Sequence, residues 1–377
     1  MKKTIALLLA LVMALGLFAG CQKTVVDEPT TPTDAPQKVE EPTTEPAEEP
    51  AEEPASEPTE EPAAEPAAEP IVFTDQGGNT ITLEKPAERI VTCFYGQTYA
   101  LVALGLTDKL VGMEHNAAGR PIYAAAAPQL LELPDVGAMK SFNAEAAIAL
   151  EPDVILLPMK LKDTAATLEA VGITVVLCYP ESQELLEEQL VMIATLCGQP
   201  EKAEALLAYY DAKFGEMKAI TDALTDEQKP SVLITSVSSY LSVAPDEMYQ
   251  ASLIGNAGGV NAATGIEGNY WTDISYEQLL TMNPDVIAIP SEAKYTAEEI
   301  LNDPQLAELT AVKNSAVYAM PSAWEAWDSP VPSGVLGTLW LMAKIHGDLY
   351  TVDQLKADVA DFYKTFYGFD ADVSVIQ

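Results

Sequence analysis

One phrase of this sequence occurs twice. The stretch NAEAAIALEPDVILLP (143–158) aligns without a gap with SYEQLLTMNPDVIAIP (275–290). In each copy a residue that can cap a helix, Asn143 or Ser275, precedes a short helical segment. A proline, Pro152 or Pro284, ends that helix, and an apolar run typical of a buried strand follows. The repeat therefore predicts the same helix–strand unit at equivalent places in two halves of the chain.

Short apolar runs separated by helix-like stretches extend this pattern along the chain. The runs predicted as strands are 89–93, 110–113, 154–157, 174–178, 231–235, 286–289 and 316–320. Before them, alternating residues around Gly77-Gly78-Asn79 predict a hairpin over 71–83. Strands that alternate with helices form parallel sheets covered on both faces, so we expect an α/β protein.

A single long helix is predicted in the middle of the chain. Between 200 and 224 apolar residues recur with a period of 3.6, and Pro200 suits the first turn. We therefore expect two α/β lobes, 71–199 and 225–377, with parallel sheets, joined by one helix over 200–224.

The first 70 residues have a different composition. Lys2 and Lys3 precede an apolar run that is too short to span a bilayer, which predicts an export signal over 1–20. The ending LFAGC resembles a bacterial lipoprotein signal, with Cys21 as the lipidated residue; an ordinary cleaved signal with an incidental cysteine is the alternative. Residues 22–70 are rich in Pro and Glu, so the segment 21–70 is expected to be a disordered tether carrying the anchor.

Charge excludes one class of function. The chain has 57 acidic and 20 basic residues, with a net charge of −37. No basic stripe is present to meet phosphates, so we expect no nucleic-acid partner.

The chain has two histidines and no His-x-x-x-His motif, and we predict no catalytic residue, metal ligand or cofactor.

Besides Cys21 the chain has three cysteines, which give no disulfide framework. Cys93 and Cys178 each end a predicted strand, and Cys197 lies just before the long helix. Buried, inert thiols are the simplest interpretation; a disulfide or soft-metal ligation by Cys93 and Cys178 stays open.

Several segments together resemble a known family. RIVTCFYGQTYALVALGLTDKLVGMEH (89–115), the two Pro-Asp-Val units, AVKNSAVYAMPS (311–322) and FYKTFYGFD (362–370) are similar to the iron-complex and cobalamin type of substrate-binding protein from ABC importers. The resemblance implies two Rossmann-like lobes with the ligand in the cleft between them. It also implies an exported monomer that is not an enzyme and sits on the outer face of the cytoplasmic membrane. One surface glutamate per lobe, Glu145 and Glu277, would dock onto the permease dimer.

The expected ligand is a metal chelate held in that cleft. In open α/β sheets ligands bind beyond the carboxyl ends of the strands. Aromatic and polar residues near those ends, or in a second-lobe loop, are the cleft candidates: Tyr95, Gln97, His115, Arg120, Lys160, Tyr240, Tyr270, Trp271, Trp324, Trp327 and Asp328. With only two arginines, the chain is poorly equipped for a highly anionic ferric catecholate.

Three alternatives remain open from the sequence. A ferric siderophore or haem-type iron complex is the principal expectation, and cobalamin or a metal oxyanion such as molybdate is the alternative cargo. A chelatase-like or metal-cluster protein, with Cys93 and Cys178 as ligands, is the alternative of a different class, and a surface protein without a transport role is the third.

Overall fold

The computed structural model describes residues 69–321 and 324–377. The predicted signal segment, the lipidation site Cys21 and nearly all of the predicted tether lie outside these ranges. Within them, no helix combines the length and the apolar character that a membrane crossing requires.

The described chain begins with the predicted hairpin. Strands β1 (Ile71–Thr74) and β2 (Thr80–Leu83) pair antiparallel. In the turn between them, one carboxylate oxygen of the buried Asp75 accepts a hydrogen bond from the backbone N–H of Asn79 at 2.8 Å. The other accepts from the N–H of Leu177 at 2.9 Å. Through these hydrogen bonds the Asp75 carboxylate connects the hairpin to the rest of the first lobe.

The first lobe is built around a parallel sheet. Its further elements are β3 (Ile90–Thr92), α1 (Tyr95–Ala103), β4 (Leu110–Gly112), α2 (Pro121–Ala126), α3 (Ala144–Ala149), β5 (Val154–Pro158), α4 (Lys162–Glu169), β6 (Thr174–Cys178) and α5 (Gln183–Leu196). The strand order is β4-β3-β5-β6, and every neighbouring pair is parallel. Because β4 and β5 flank β3, the connections run on both faces of the sheet.

The long helix predicted over 200–224 is α6 (Glu201–Thr221), with Pro200 at its N-cap. At ~1.5 Å per residue it is roughly 30 Å long. Its buried positions are Ala203, Leu206, Tyr210 and Met217. The Tyr210 hydroxyl donates to the carbonyl of Pro332 at 2.6 Å, which joins the helix to the second half of the chain.

The second lobe repeats the plan of the first. Its elements are β7 (Ser231–Ile234), β8 (Ser242–Val243), α7 (Tyr249–Asn256), β9 (Val260–Asn261), β10 (Thr272–Asp273), α8 (Tyr276–Met282), β11 (Val286–Ile289), α9 (Ala297–Leu301), α10 (Thr310–Lys313), β12 (Val317–Ala319), α11 (Gly334–Ile345) and α12 (Val352–Phe362). Its four-stranded parallel sheet has the order β12-β11-β7-β9. As in the first lobe, the first strand lies between the second and the third. The predicted α/β class with two parallel sheets is confirmed.

The repeated phrase forms the same local structure in both lobes. The Asn143 side chain accepts from the Ala146 N–H at the start of α3, and the Ser275 side chain accepts from Gln278 at the start of α8. The residue before each proline has a left-handed backbone, with φ of 49° at Glu151 and 43° at Asn283. As the repeat predicted, both helices begin with a side-chain cap and end ahead of the proline. The left-handed residue before each proline was not predicted.

The aspartate of each Pro-Asp-Val unit has a role that the pattern did not reveal. Asp153 accepts hydrogen bonds from the N–H groups of Glu88 and Arg89, just before β3. Asp285 accepts from the N–H and hydroxyl of Ser231, the first residue of β7. Each carboxylate thus fixes the start of the neighbouring parallel strand, which sets the relative position of the two strands.

A buried acidic group lies in the loop that leads from β12 to α11. Glu325 is 3% exposed, and its carboxylate accepts hydrogen bonds from Tyr367 at 2.8 Å and Tyr363 at 3.2 Å. Burial raises the pKa of Glu325 from 4.5 to about 7. Because the folded protein holds a proton that the unfolded chain releases, stability falls as the pH rises from about 4.5 to about 7.

Replacing Glu325 by glutamine is expected to remove this pH dependence. At pH 8 the Glu325→Gln variant should unfold with a free energy about 2–3 kcal/mol higher than wild type, and the difference should shrink towards pH 5. Urea unfolding across this range measures it. The exposed Glu298→Gln change is the control and should leave the profile unaltered. Equal curves for wild type and Glu325→Gln would contradict the prediction.

Candidate functional site

A cavity of about 270 Å³ lies between the two lobes, which belong to one compact unit. Its lining comes from both sheets. The first lobe contributes Phe94, Tyr95, Gln97, Met139, Pro158, Met159, Lys160, Cys178, Tyr179, Pro180 and Glu181. The second contributes Val237, Met248, Gln250, Tyr270, Trp271, Glu292, Ala326, Asp328, Ser329 and Pro330.

The topology explains why the cavity lies there. In each sheet the strand order reverses between the first and third strands, β3 and β5 or β7 and β11. Open α/β sheets bind ligands at such a switch point, outside the carboxyl ends of the strands. Phe94 and Lys160 follow β3 and β5, while Val237 and Glu292 follow β7 and β11. The cavity therefore occupies the switch points of both sheets at once.

A larger groove of about 800 Å³ lies beside the hairpin. Its lining comes from the hairpin, α5 and Leu207 of α6. It draws on neither switch point, so the cavity between the lobes is the stronger candidate for the ligand site.

Aromatic rings and thioethers form much of the cavity wall. Two side-chain contacts cross from one lobe to the other. The ammonium group of Lys160 lies 3.6 Å from the centre of the Tyr270 ring, a cation–π contact. The Tyr95 hydroxyl lies 3.3 Å from the Ser329 hydroxyl oxygen. Such a wall, with few polar groups, suits a large ligand that is partly apolar.

The polar part of the lining is acidic. The charged residues of the lining are the acidic Glu181, Glu292 and Asp328 and one basic residue, Lys160. Burial raises the pKa of Asp328 to about 6, with a further contribution from the negative charge of Glu292. Burial also raises the pKa of Glu181, which the charge of Lys160 partly offsets. At neutral pH the Asp328 carboxylate is therefore mostly ionised.

Six of the eleven predicted cleft residues line the cavity: Tyr95, Gln97, Lys160, Tyr270, Trp271 and Asp328. The other five do not, and each has a structural contact elsewhere.

Two of the three basic candidates of the first lobe, His115 and Arg120, lie outside the cavity and contact carboxylates there. His115 is exposed, and its Nδ1 lies 2.6 Å from a carboxylate oxygen of Asp135. The Arg120 guanidinium packs 4.2 Å above the Tyr95 ring, on the side of Glu114, whose carboxylate lies 3.6 Å from the Arg120 Nε. Arg120 therefore supports the Tyr95 ring from behind and does not supply a cation to the cavity.

The three aromatic candidates that miss the cavity lie within the second lobe. The Tyr240 hydroxyl donates to Asp303 at 2.9 Å. Trp327 is 1% exposed, and its indole N–H donates to the Tyr363 hydroxyl at 3.0 Å. Trp324 packs on the ring of Tyr363 at a centroid distance of 4.9 Å. Their position after a strand was correct, but their rings turn into the core.

Several lining residues were not predicted individually. Tyr179 and Glu181 follow β6, and Glu292 follows β11, so their position at a strand end was the available signal. Gln250 lies inside α7 and Met139 in the loop before α3. Neither follows a strand of the sheets, so only the folded structure brings them to the cavity.

The cysteines of the described ranges are free and buried. Burial raises the pKa of Cys93 to about 12, and burial also raises the pKa of Cys178, which lines the cavity. Such thiols remain protonated and are poor nucleophiles and ligands. Across residues 69–321 and 324–377, no group of three His, Cys, Asp or Glu side chains is placed to hold a metal ion.

The two glutamates of the repeat occupy equivalent surface positions. Glu145 lies in the first turn of α3 and Glu277 in the first turn of α8, and both are exposed. One turn further on, each helix exposes an aliphatic side chain, Ile148 at 36% and Leu280 at 39%. Each lobe therefore presents a carboxylate beside an apolar group.

Known proteins share both the sequence pattern and this architecture. Residues 90–323 match the family described as periplasmic binding protein. The molybdate-binding protein of Haemophilus influenzae is 25% identical over 323 residues, covering 78% of this chain and 90% of the relative. A vitamin B12-binding protein of Vibrio cholerae is 24% identical over 250 residues, covering 63% and 83%.

Solved structures agree in fold. The Haemophilus influenzae molybdate-binding protein, bound to molybdate, superimposes with a TM-score of 0.70 at 22% identity, covering 80% of this chain and 99% of that one. A periplasmic solute-binding protein from Veillonella parvula gives a TM-score of 0.66 at 26% identity, covering 82% and 96%. The family match includes more than half of the sequence and both repeat units, and the chain belongs to the periplasmic binding protein family.

Proposed function

We propose that this protein captures a metal complex in the cavity between its lobes and delivers it to the permease of an ABC importer. The observation that carries the proposal is the position of the cavity, at the switch points of both sheets, with walls of aromatic rings and thioethers. A chelated metal offers a large surface of mixed polarity, which such walls can cover.

The proposed cargo is a ferric siderophore or a haem-type iron complex. Cobalamin and molybdate are the alternative cargoes, since relatives of this chain are named for vitamin B12 and for molybdate. In all cases the protein acts by binding and not by catalysis, as a monomer without a cofactor.

The proposal includes attachment to the outer face of the cytoplasmic membrane. A lipid on Cys21 would hold the protein there, with the acidic segment 21–70 as a tether to the lobes. Mass spectrometry of the N-terminal peptide checks this point, because a diacylglyceryl group on the Cys21 sulfur has a characteristic mass.

The cargo is tested by titrating the full-length protein, purified in detergent, and following tryptophan fluorescence. The panel is a ferric trihydroxamate, ferric citrate, haem, cobalamin and molybdate. One or more chelates should quench saturably with a Kd of about 1 µM or lower, equivalent to ~8 kcal/mol. Of the four tryptophans only Trp271 lines the cavity, whereas Trp324, Trp327 and Trp340 do not, so Trp271 should report most of the change.

Trp271→Phe is the matched variant for this experiment. It should lose most of the quenching while calorimetry still detects binding within about tenfold of wild type. Full quenching in Trp271→Phe would show that the other three tryptophans report the ligand as strongly as Trp271 does. Failure of the whole panel to bind would contradict the proposed function.

A further inference from the structure

Three side chains of the cavity share an unusual property. Gln97, Gln250 and Asp328 are 1%, 4% and 4% exposed, and all three line the cavity. In each, one buried oxygen has no hydrogen-bond partner in the protein: the amide oxygens of the glutamines and Oδ1 of Asp328. Buried polar atoms are nearly always paired in folded proteins, so three unpaired acceptors at one cavity point to a ligand.

The orientation of these groups is set by their other contacts. The Gln250 amide nitrogen donates to the backbone carbonyl of Asp328 at 2.8 Å, which leaves the amide oxygen of Gln250 for a different partner. The amide oxygen of Gln97 is likewise buried and without a partner. The unpaired atoms of both glutamines are therefore amide oxygens, which are acceptors, and the unpaired atom of Asp328 is a carboxylate oxygen.

The charges around the cavity also favour a ligand that donates hydrogen bonds and is not anionic. Three carboxylates line it, and the one lysine, Lys160, already rests on the Tyr270 ring. Arg120 is held behind Tyr95 by Glu114 and contributes no donor to the cavity. An anionic ligand would meet unpaired oxygens and negative charge here, which is unfavourable without matching donors.

We propose that the cavity selects a metal chelate of neutral or positive charge whose periphery carries N–H or O–H donors for Gln97, Gln250 and Asp328. This inference rests on the proposed function and narrows its cargo. An ammonium-bearing ferric hydroxamate or a corrinoid with carboxamide groups fits the acceptors. Haem with its carboxylates, ferric citrate and molybdate do not, even though a relative at 25% identity is named for molybdate.

The test compares five probes on the full-length protein by calorimetry: a ferric trihydroxamate with a free ammonium group, cobalamin, haem, ferric citrate and molybdate. At least one of the first two should bind, with a Kd at least about tenfold lower than any of the last three. Asp328→Asn keeps the shape of the side chain and removes its charge. This variant should raise the Kd of whichever donor-bearing probe binds by about tenfold.

Asp348→Asn is the matched control, because Asp348 is an exposed carboxylate outside the cavity lining, and it should keep the wild-type Kd. Tightest binding of haem, ferric citrate or molybdate would overturn the inference and leave the proposed function standing. An unchanged Kd for the donor-bearing probe in Asp328→Asn would do the same. If none of the five probes binds, the proposed function fails together with the inference.

Discussion

Reversal of charge at both Glu145 and Glu277, to lysine, is expected to reduce uptake of the metal complex to background while the Kd for the complex stays unchanged. Both carboxylates are exposed, and among the described residues neither forms a side-chain hydrogen bond or an ion pair. They lie at equivalent positions of two equivalent helices, so a permease dimer can receive one from each lobe. An interface charge pair that becomes a repulsion costs about 2–5 kcal/mol per site, and two sites act together.

The neighbouring aliphatic groups strengthen this expectation. Ile148 and Leu280 are exposed large apolar side chains, one helical turn beyond each glutamate. A carboxylate beside an apolar group is typical of a docking surface in which a desolvated charge pair is surrounded by apolar contacts. Uptake of labelled chelate by cells that express the permease and its ATPase measures the effect.

The control for this experiment is a double variant with the same change in charge. Asp163 and Glu298 are exposed acidic residues in the first turns of α4 and α9, outside the repeated units. Asp163→Lys with Glu298→Lys should therefore lose similar helix-dipole energy yet retain uptake. Uptake at the wild-type rate in Glu145→Lys with Glu277→Lys would rule out these two helices as the docking surface.

The repeated phrase predicted the fold well because its signals are local. A cap such as Asn143, a proline and a buried apolar run are properties of a few consecutive residues, and they recur in both lobes. The hydrogen bonds of Asp153 and Asp285 could not be predicted from the sequence. Each aspartate binds the start of a strand more than fifty residues away in sequence, and the sequence alone does not show which strands are neighbours.

Part of the cavity lining could be predicted, because residues that follow a strand lie at the same edge of its sheet. Tyr95 and Lys160 follow β3 and β5 and reach the cavity. Trp327 also lies beyond a strand, yet its indole is buried against Tyr363, because a large apolar ring gains more from the core than from a solvated cleft. Gln250 reaches the cavity from within a helix. The direction of a side chain depends on tertiary packing, which the periodicity of a single sequence does not contain.

Gly337→Ala is expected to destabilise the protein by about 3 kcal/mol or more and to weaken ligand binding in the fraction that folds. Gly337 lies in the buried helix α11, where a Cβ would overlap the backbone carbonyl of Trp327. Backbone cannot rotate away as a side chain can, so the loop that contains Trp327 must shift. The next residue in that loop is Asp328, which lines the cavity. Urea unfolding and calorimetry with a bound chelate measure the two effects.

Gly215→Ala is the opposite case and serves as the control. Gly215 is exposed in α6, and a Cβ there meets no atom within 4 Å. An alanine in the interior of a helix is favoured over glycine by about 0.5–1 kcal/mol, so this variant should be slightly more stable than wild type. Equal stability of the two variants would show that α11 and the Trp327 loop separate easily. A shift of this loop would move the Asp328 carboxylate and so change the Kd. Loss of stability in Gly337→Ala with an unchanged Kd would therefore mean that the loop relaxes without moving Asp328.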